Sequence, residues 1–229
     1  MLSYNTFMGL SMKIRIIYTK LGEIRFVSHL DIIRIISRAL RRAEAPVMLS
    51  CGFNPHFLVS YGSPISLGIE SICETADIVL KKDCDILKIK DDLNNVLPPG
   101  INIEKIMELK DGSPSLLDLE FYFEYEFYLE HVDSDWIQER IKVFNTSGIE
   151  LKINKKNKET LLKINDFISK IEFSINNENR LTLRARISSG NGGVRLSPFN
   201  FIKAFMGFEK KEELGAAIKK VDFAREKTL

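Results

Sequence analysis

Arg25, Arg34, Arg38, Arg41 and Arg42 fall close together early in the chain. A guanidinium presents a planar fork of donors that fits a phosphate bidentately, so several on one helix face form a reasonable RNA-backbone site. A solvated face that pairs with carboxylates accounts for them equally well. His29 and His56 flank the same region, with Asn54 in the turn before His56. Two imidazoles beside a phosphate can act as general base and acid in metal-independent RNA cleavage, and with Asp31 or Asp77 they can instead ligate a metal. The simpler reading is a hydrogen-bonded histidine at a helix end, because spacing fixes no third catalytic member. A third candidate is Gly190-Asn191-Gly192-Gly193 before Val194-Arg195, where the backbone N–H groups around Gly192, Gly193 and Arg195 can cradle a phosphate. It lacks the Lys-Ser/Thr ending of a P-loop, and a hairpin-to-helix connection explains it as well.

Ile14, Ile16 and Tyr18 alternate with Arg15, Ile17 and Thr19 as in a strand, and after Leu21-Gly22-Glu23 the run Ile24-Arg25-Phe26-Val27 reads as strand again, giving a hairpin or one bent strand. Ser28 with Asp31 three residues on has the form of a capping box, so a helix is expected from Ser28. Ile32, Ile33, Ile36, Ala39, Leu40 and Ala43 share one face of it, the arginines gather on the other, and Pro46 stops it. Val47-Met48-Leu49 and Phe57 to Tyr61 read as strands around the turn Gly52-Phe53-Asn54-Pro55-His56. Ala76 to Leu80 reads as a short buried strand, Asp85 to Val96 as an amphipathic helix ended by Pro98-Pro99-Gly100, and Ile101 to Ile106 as a strand. Strand, helix, strands, helix, strand is the order of a ferredoxin-like split βαβ unit.

After a linker at residues 111–115, Leu119, Phe121, Phe123, Tyr125, Phe127 and Leu129 alternate with Glu or Tyr, the most regular strand pattern of the chain. Aromatic strands can stack bases, but a row of four carboxylates on the outward face repels phosphates, so Phe121, Phe123 and Phe127 are read as core. Asp133 or Ser134 caps a helix carrying Trp136, Ile137, Ile141 and Phe144; residues 149–153 form a short strand; and the Lys-rich stretch 152–163 is solvated surface. Residues 169–175 and 180–187 read as a hairpin, and Ser197-Pro198 opens a last helix that Gly207 ends. The fold class expected is therefore α+β, with two tandem ferredoxin-like halves: a loose extension at 1–11, a first domain at 12–110, the linker 111–115, and a second domain at 116–229.

Composition bounds the rest. With 33 basic and 31 acidic residues among 229, the formal charge is +2, and no strongly anionic partner is demanded. Hydrophobic residues at 45% and charged residues at 28% suit a folded protein and exclude disorder over most of the length. No apolar run reaches the roughly eighteen residues of a membrane span. Cys51, Cys73 and Cys84 fit neither a disulfide framework nor a cluster motif, which points to a reducing cytoplasm and to no cofactor held by this chain.

Read in order, Arg25-Phe26-Val27-Ser28-His29-Leu30-Asp31, Arg34, Arg38-Ala39-Leu40-Arg41-Arg42-Ala43, Pro46, Gly52-Phe53-Asn54-Pro55-His56, Ser60, Pro64, Gly68, Ser71, Glu74 and Asp77 form a long series that resembles the bacterial radical-SAM-linked protein family, a domain of unknown function. The resemblance covers roughly residues 13–110, and more loosely the second half through Gly192-Gly193-Val194-Arg195 and the Pro-initiated helix. It implies association with a radical SAM enzyme and assigns no activity. The chain lacks the three-cysteine cluster motif of such enzymes, so it would be the linked module. A weaker, architectural likeness is to the repeat-associated RNA-processing endonucleases of CRISPR systems. Three functions follow as expectations: a non-catalytic module that binds RNA or a substrate-presenting partner through Arg25, Arg34, Arg38, Arg41, Arg42, Asn54 and His56; a metal-independent ribonuclease using His29 and His56; or a pure protein-interaction module.

Overall fold

A computed structural model of the chain describes residues 11–116, 121–129, 132–155, 158–175, 181–188, 196–207 and 216–225. It divides into two compact units, Met1–Leu119 and Glu120–Leu229. The architecture is mixed α+β with antiparallel strand pairing and, among the described residues, four α-helices.

The first unit runs β1 (Ser11–Lys20), α1 (His29–Arg42), β2 (Val59–Tyr61), β3 (Glu70–Lys81), α2 (Ile86–Val96) and β4 (Ile103–Leu109). Its strands stand in the order β4-β1-β3-β2, all antiparallel. Because side chains alternate across a strand, Ile14, Ile16 and Tyr18 of β1 and Ala76, Ile78 and Leu80 of β3 face one way. Onto them pack Ile32, Ile36, Ala39 and Leu40 of α1 and Ile89 and Leu93 of α2, all buried. Each fully buried aliphatic side chain contributes about 1.5–3 kcal/mol. The Pro98-Pro99-Gly100 stop returns the chain to the sheet. Gly100 takes a φ of +92°, and a Cβ there would stand 2.5 Å from the Leu21 carbonyl oxygen, so the close approach requires glycine.

Three expectations change here. Ile24 to Val27 is not a strand: Gly22–Phe26 forms a 3-10 turn, because β1 already has β3 and β4 on its two edges and leaves no edge for a hairpin partner. The short strand at Ala76 to Leu80 is the second half of the twelve-residue β3, whose first half buries Ser71 and Glu74, polar residues that satisfy one another at 2.7 Å. Val47 to Leu49 and Phe57 make only isolated bridges, Val47 to Leu80 and Leu49 to Phe57, and regular pairing is confined to β2. Pro46 and Pro55 remove backbone donors on either side of that stretch. Residues 111–115 fall within the first compact unit, and the Pro114 carbonyl accepts from Arg15 Nη2 at 3.4 Å.

The second unit runs β5 (Phe121–Leu129), α3 (Ser134–Thr146), β6 (Glu150–Lys155), β7 (Lys158–Lys163), β8 (Ile168–Ile175), β9 (Leu181–Ser188), α4 (Pro198–Met206) and β10 (Ala216–Arg225). Its sheet has the order β10-β5-β9-β8, again antiparallel, with β6 and β7 paired separately as a hairpin. β7 and β10 are absent from the sequence reading. β10 is bulged between Lys220 and Asp222 and buries Lys220, so its period-two pattern is broken. Phe127, Phe201 and Phe205 are fully buried, with ring centroids 5.2 Å and 5.7 Å apart in succession, as core aromatics. Ser197 caps α4, and Gly207 closes it in the left-handed region at a φ of +74°. The outward carboxylates of β5 are not a bare repulsive row: Glu126 pairs with Arg184 at 2.6 Å and Glu124 with Arg186 at 3.1 Å across β5 and β9. The other two, Glu120 and Glu130, lie outside the described residues.

On the side of the first sheet away from its helices, Arg15 Nε and Nη2 donate to the two oxygens of Asp77 at 2.6 and 3.0 Å, with Lys13 Nζ at 3.3 Å. Asp77 is 1% exposed. Removing it leaves Arg15 without its partner in a largely buried site, so Asp77→Ala should cost about 3–5 kcal/mol in urea unfolding; a loss near zero would contradict this role.

Candidate functional site

The capping box forms as spaced. Asp31 N donates to Ser28 Oγ at 3.2 Å, while the Ser28 hydroxyl donates to Asp31 Oδ2 at 2.7 Å, so the carboxylate answers the hydroxyl itself. This fixes the first turn of α1 and orients the rest of its outer surface. Leu30, Arg34 and Arg38 recur every fourth residue and Arg41 follows three later, which stacks them as one exposed stripe. Phe26, just before the helix, extends the apolar end and is 56% exposed, with Leu30 at 64%.

The five arginines do different things. Arg34 pairs with Asp31 at 2.7 Å, with both side chains exposed. Arg38 makes no hydrogen bond or ion pair among the described residues, with Asp31 in its electrostatic reach. Arg41 lies 5.5 Å over the Phe57 ring. Arg42 donates to the Val96 carbonyl at the end of α2, tying the two helices. Arg25 sits 4.8 Å over Phe26 and 3.8 Å from Glu70, and its Nε is buried without a hydrogen bond. Arg34, Arg38 and Arg41 thus form the outward set, while Arg25 and Arg42 are tied into the fold.

The histidines have separate settings. His29 meets the Tyr61 ring edge-on at 5.8 Å, at one end of β2. His56 Nδ1 lies 2.8 Å from Ser50 Oγ, and its backbone N–H donates to the same oxygen. Four residues lie between His56 and Tyr61 in the chain, and only Val59–Tyr61 are in regular strand. The two imidazoles thus have different partners, the Tyr61 ring for His29 and the Ser50 hydroxyl for His56. Asn54 and His56 are exposed in the turn following Ser50. No group of three or more metal-ligating side chains gathers among the described residues; Asp31 and Asp77 both face cations. Gly192, Gly193 and Arg195 lie outside the described residues. Cys51 is exposed, Cys73 buried and Cys84 half-buried, all free thiols.

Sequence reasoning missed a buried polar cluster beneath the start of α1. Tyr18 stands opposite Glu74 across β1 and β3, and Lys20 opposite Ser71, past a bulge. Lys20 is 3% exposed and donates to the Arg25 carbonyl at 3.2 Å; burial pulls its amine below the usual lysine range, partly offset by Glu74. Burial raises the Tyr18 phenol, and Glu74 and Tyr61 raise it further. Burial also pushes Tyr61 up to about 12. A lone Lys20 at a strand end reads as a solvated side chain, and only the β1–β3 register reveals the burial.

A groove of about 530 Å³ also lies in the first unit, with Met48, Leu49, Leu58 and Val79 among its walls and Lys13 and Lys110 at its sides. Ser50, the partner of His56, lines it as well.

Residues 13–196 match a bacterial family described as "Uncharacterized protein conserved in bacteria (DUF2344)". The chain belongs to that family. The match extends well beyond residue 110 and so takes in most of the second unit as well as the arginine-bearing first. No curated protein matches the chain. Among solved structures, one described as "Crystal structure of putative glycine cleavage system transcriptional repressor" is similar over 95% of this chain and 99% of that one, at 9% identity and a TM-score of 0.26. No helix among the described residues is long and apolar enough to cross a membrane.

Hydrogen bonds from Ser28, and then from Arg34, hold the Asp31 carboxyl below its usual range. A depressed folded-state value means that this contribution to stability is present above the ordinary carboxylate range and is lost as pH falls through the depressed value. Ser28→Ala should cost about 1 kcal/mol and bring the Asp31 titration, followed by carboxyl NMR, back up. An unchanged Asp31 titration would show that Ser28 does not set it.

Proposed function

We propose that this chain is a non-catalytic accessory module that binds RNA through the exposed stripe of α1, in a reducing cytoplasm and in association with a radical SAM enzyme, as the family resemblance implies. The observation that carries it is the stripe itself. Leu30, Arg34, Arg38 and Arg41 are exposed on successive turns, with Phe26 at the apolar end, and Arg38 carries no bonded counter-charge among the described residues. Guanidinium groups spaced by one helical turn suit neighbouring phosphates, while an aromatic and an aliphatic side chain at one end offer a surface to an unstacked base. The near-neutral total charge fits a small patch better than a wrapped, highly basic surface. We also read the chain as two tandem ferredoxin-like halves. The support is the matching succession of strand, helix, paired strands, helix and strand in each unit, with β6 and β7 inserted in the second.

A stripe of three arginines contacting three phosphates of a single strand predicts a slope of about −2 for log affinity against log salt. Electrophoretic mobility shifts with total cellular RNA check this. Arg34→Ala and Arg38→Ala should each weaken the complex and lower the slope by about 0.7. No shift at low salt, or a shift indifferent to both changes, would remove the RNA reading; a nuclease-resistant complex with the radical SAM protein would then assign the stripe to an acidic protein surface.

A further inference from the structure

We infer that the groove in the first unit is a binding site for a small aliphatic monocarboxylate, a molecule with an acyl chain and one free carboxylate. Lys13 and Val79 face each other across β1 and β3, one residue out of phase with Ile14 and Ile78, which point at the helices. The groove therefore lies on the helix-free side of the sheet, apart from the α1 stripe. Its volume of about 530 Å³ is within the range of small-ligand sites. Met48, Leu49, Leu58 and Val79 give it aliphatic walls, and no aromatic ring or arginine lines it among the described residues. A nucleobase would find nothing there to stack on, whereas an alkyl chain would replace water along four apolar side chains. Leu49 is 51% exposed, an apolar surface at a concave site that such a chain would cover.

The charge of the lining selects the head group. Among the described residues of the lining, Lys13 and Lys110 bring two positive charges and Asp111 one negative, leaving one cation in surplus. Lys13 Nζ leans toward Asp77 at 3.3 Å, but that carboxylate already takes two hydrogen bonds from Arg15. An ammonium has three donors, so Lys13 retains capacity for a second anion, and Lys110, on an exposed turn, is placed to share it.

Titration of the full chain with sodium decanoate in an isothermal calorimeter tests this. A single saturable site with a negative heat-capacity change is expected, and decylammonium, with the same chain and the opposite charge, should not bind. Lys13→Ala and Lys110→Ala should each weaken binding at least about threefold. Lys110→Ala carries the charge test should Lys13→Ala disturb Asp77. Leu49→Trp, a change at an exposed position, should fill the groove and abolish decanoate binding. Arg38→Ala should leave it unchanged, so failure of the RNA reading and failure of this one are separable. No saturable binding below the micelle-forming concentration, equal binding of decylammonium, or undiminished binding in Leu49→Trp would overturn the assignment.

Discussion

The pairing of β1 with β3 is the constraint on which the first unit depends. It places Arg15 opposite Asp77 on one side of the sheet and Tyr18 opposite Glu74 on the other. A buried carboxylate is costly unless it is fully paired, so a slip of one residue would leave Asp77 and Glu74 without these partners and turn Ile14, Ile16 and Ile78 away from the helices. The register is therefore fixed by polar and apolar demands together. α1 packs on the face so defined, and the outward position of its arginines follows from the burial of Ile32, Ile36, Ala39 and Leu40 rather than from any property of the arginines themselves.

Once α1 is seated, its outer surface separates into structural and available groups. Arg42 is committed to the end of α2 and Arg25 to Phe26 and Glu70, whereas Arg34, Arg38 and Arg41 remain on the exposed side. The other side of the same sheet carries a groove, because the segment with Met48 and Leu58 crosses beside β3 without regular pairing. The space between that segment and the 110–113 turn is left as a groove. Two chemically distinct surfaces, one cationic and one aliphatic, thus arise from opposite sides of one four-stranded sheet.

Helices and caps were legible in the sequence because their signals are local. Ser28 and Asp31, Asp85, Asp133, and Ser197 with Pro198 each stand where the structure has a cap. The strict alternation from Phe121 to Leu129 likewise appears as β5. What the sequence hid depends on distant partners. The first half of β3 carries no apolar alternation to mark it as strand, and its Ser71 and Glu74 satisfy one another only once the chain folds. β10 was invisible for a related reason, since its buried Lys220 and bulge break the period. Among site residues, the arginines were found by type and spacing, but which of them face outward is a tertiary property. Lys20, Tyr61 and the groove have no local signature at all.

We propose that RNA meets this protein at the outer stripe of α1. Ultraviolet cross-linking of the chain to cellular RNA, with the adducts located by mass spectrometry, tests it most directly. Adducts concentrated in the segment from Phe26 to Arg41 are expected. Adducts confined to the second unit, or none above background, would contradict it.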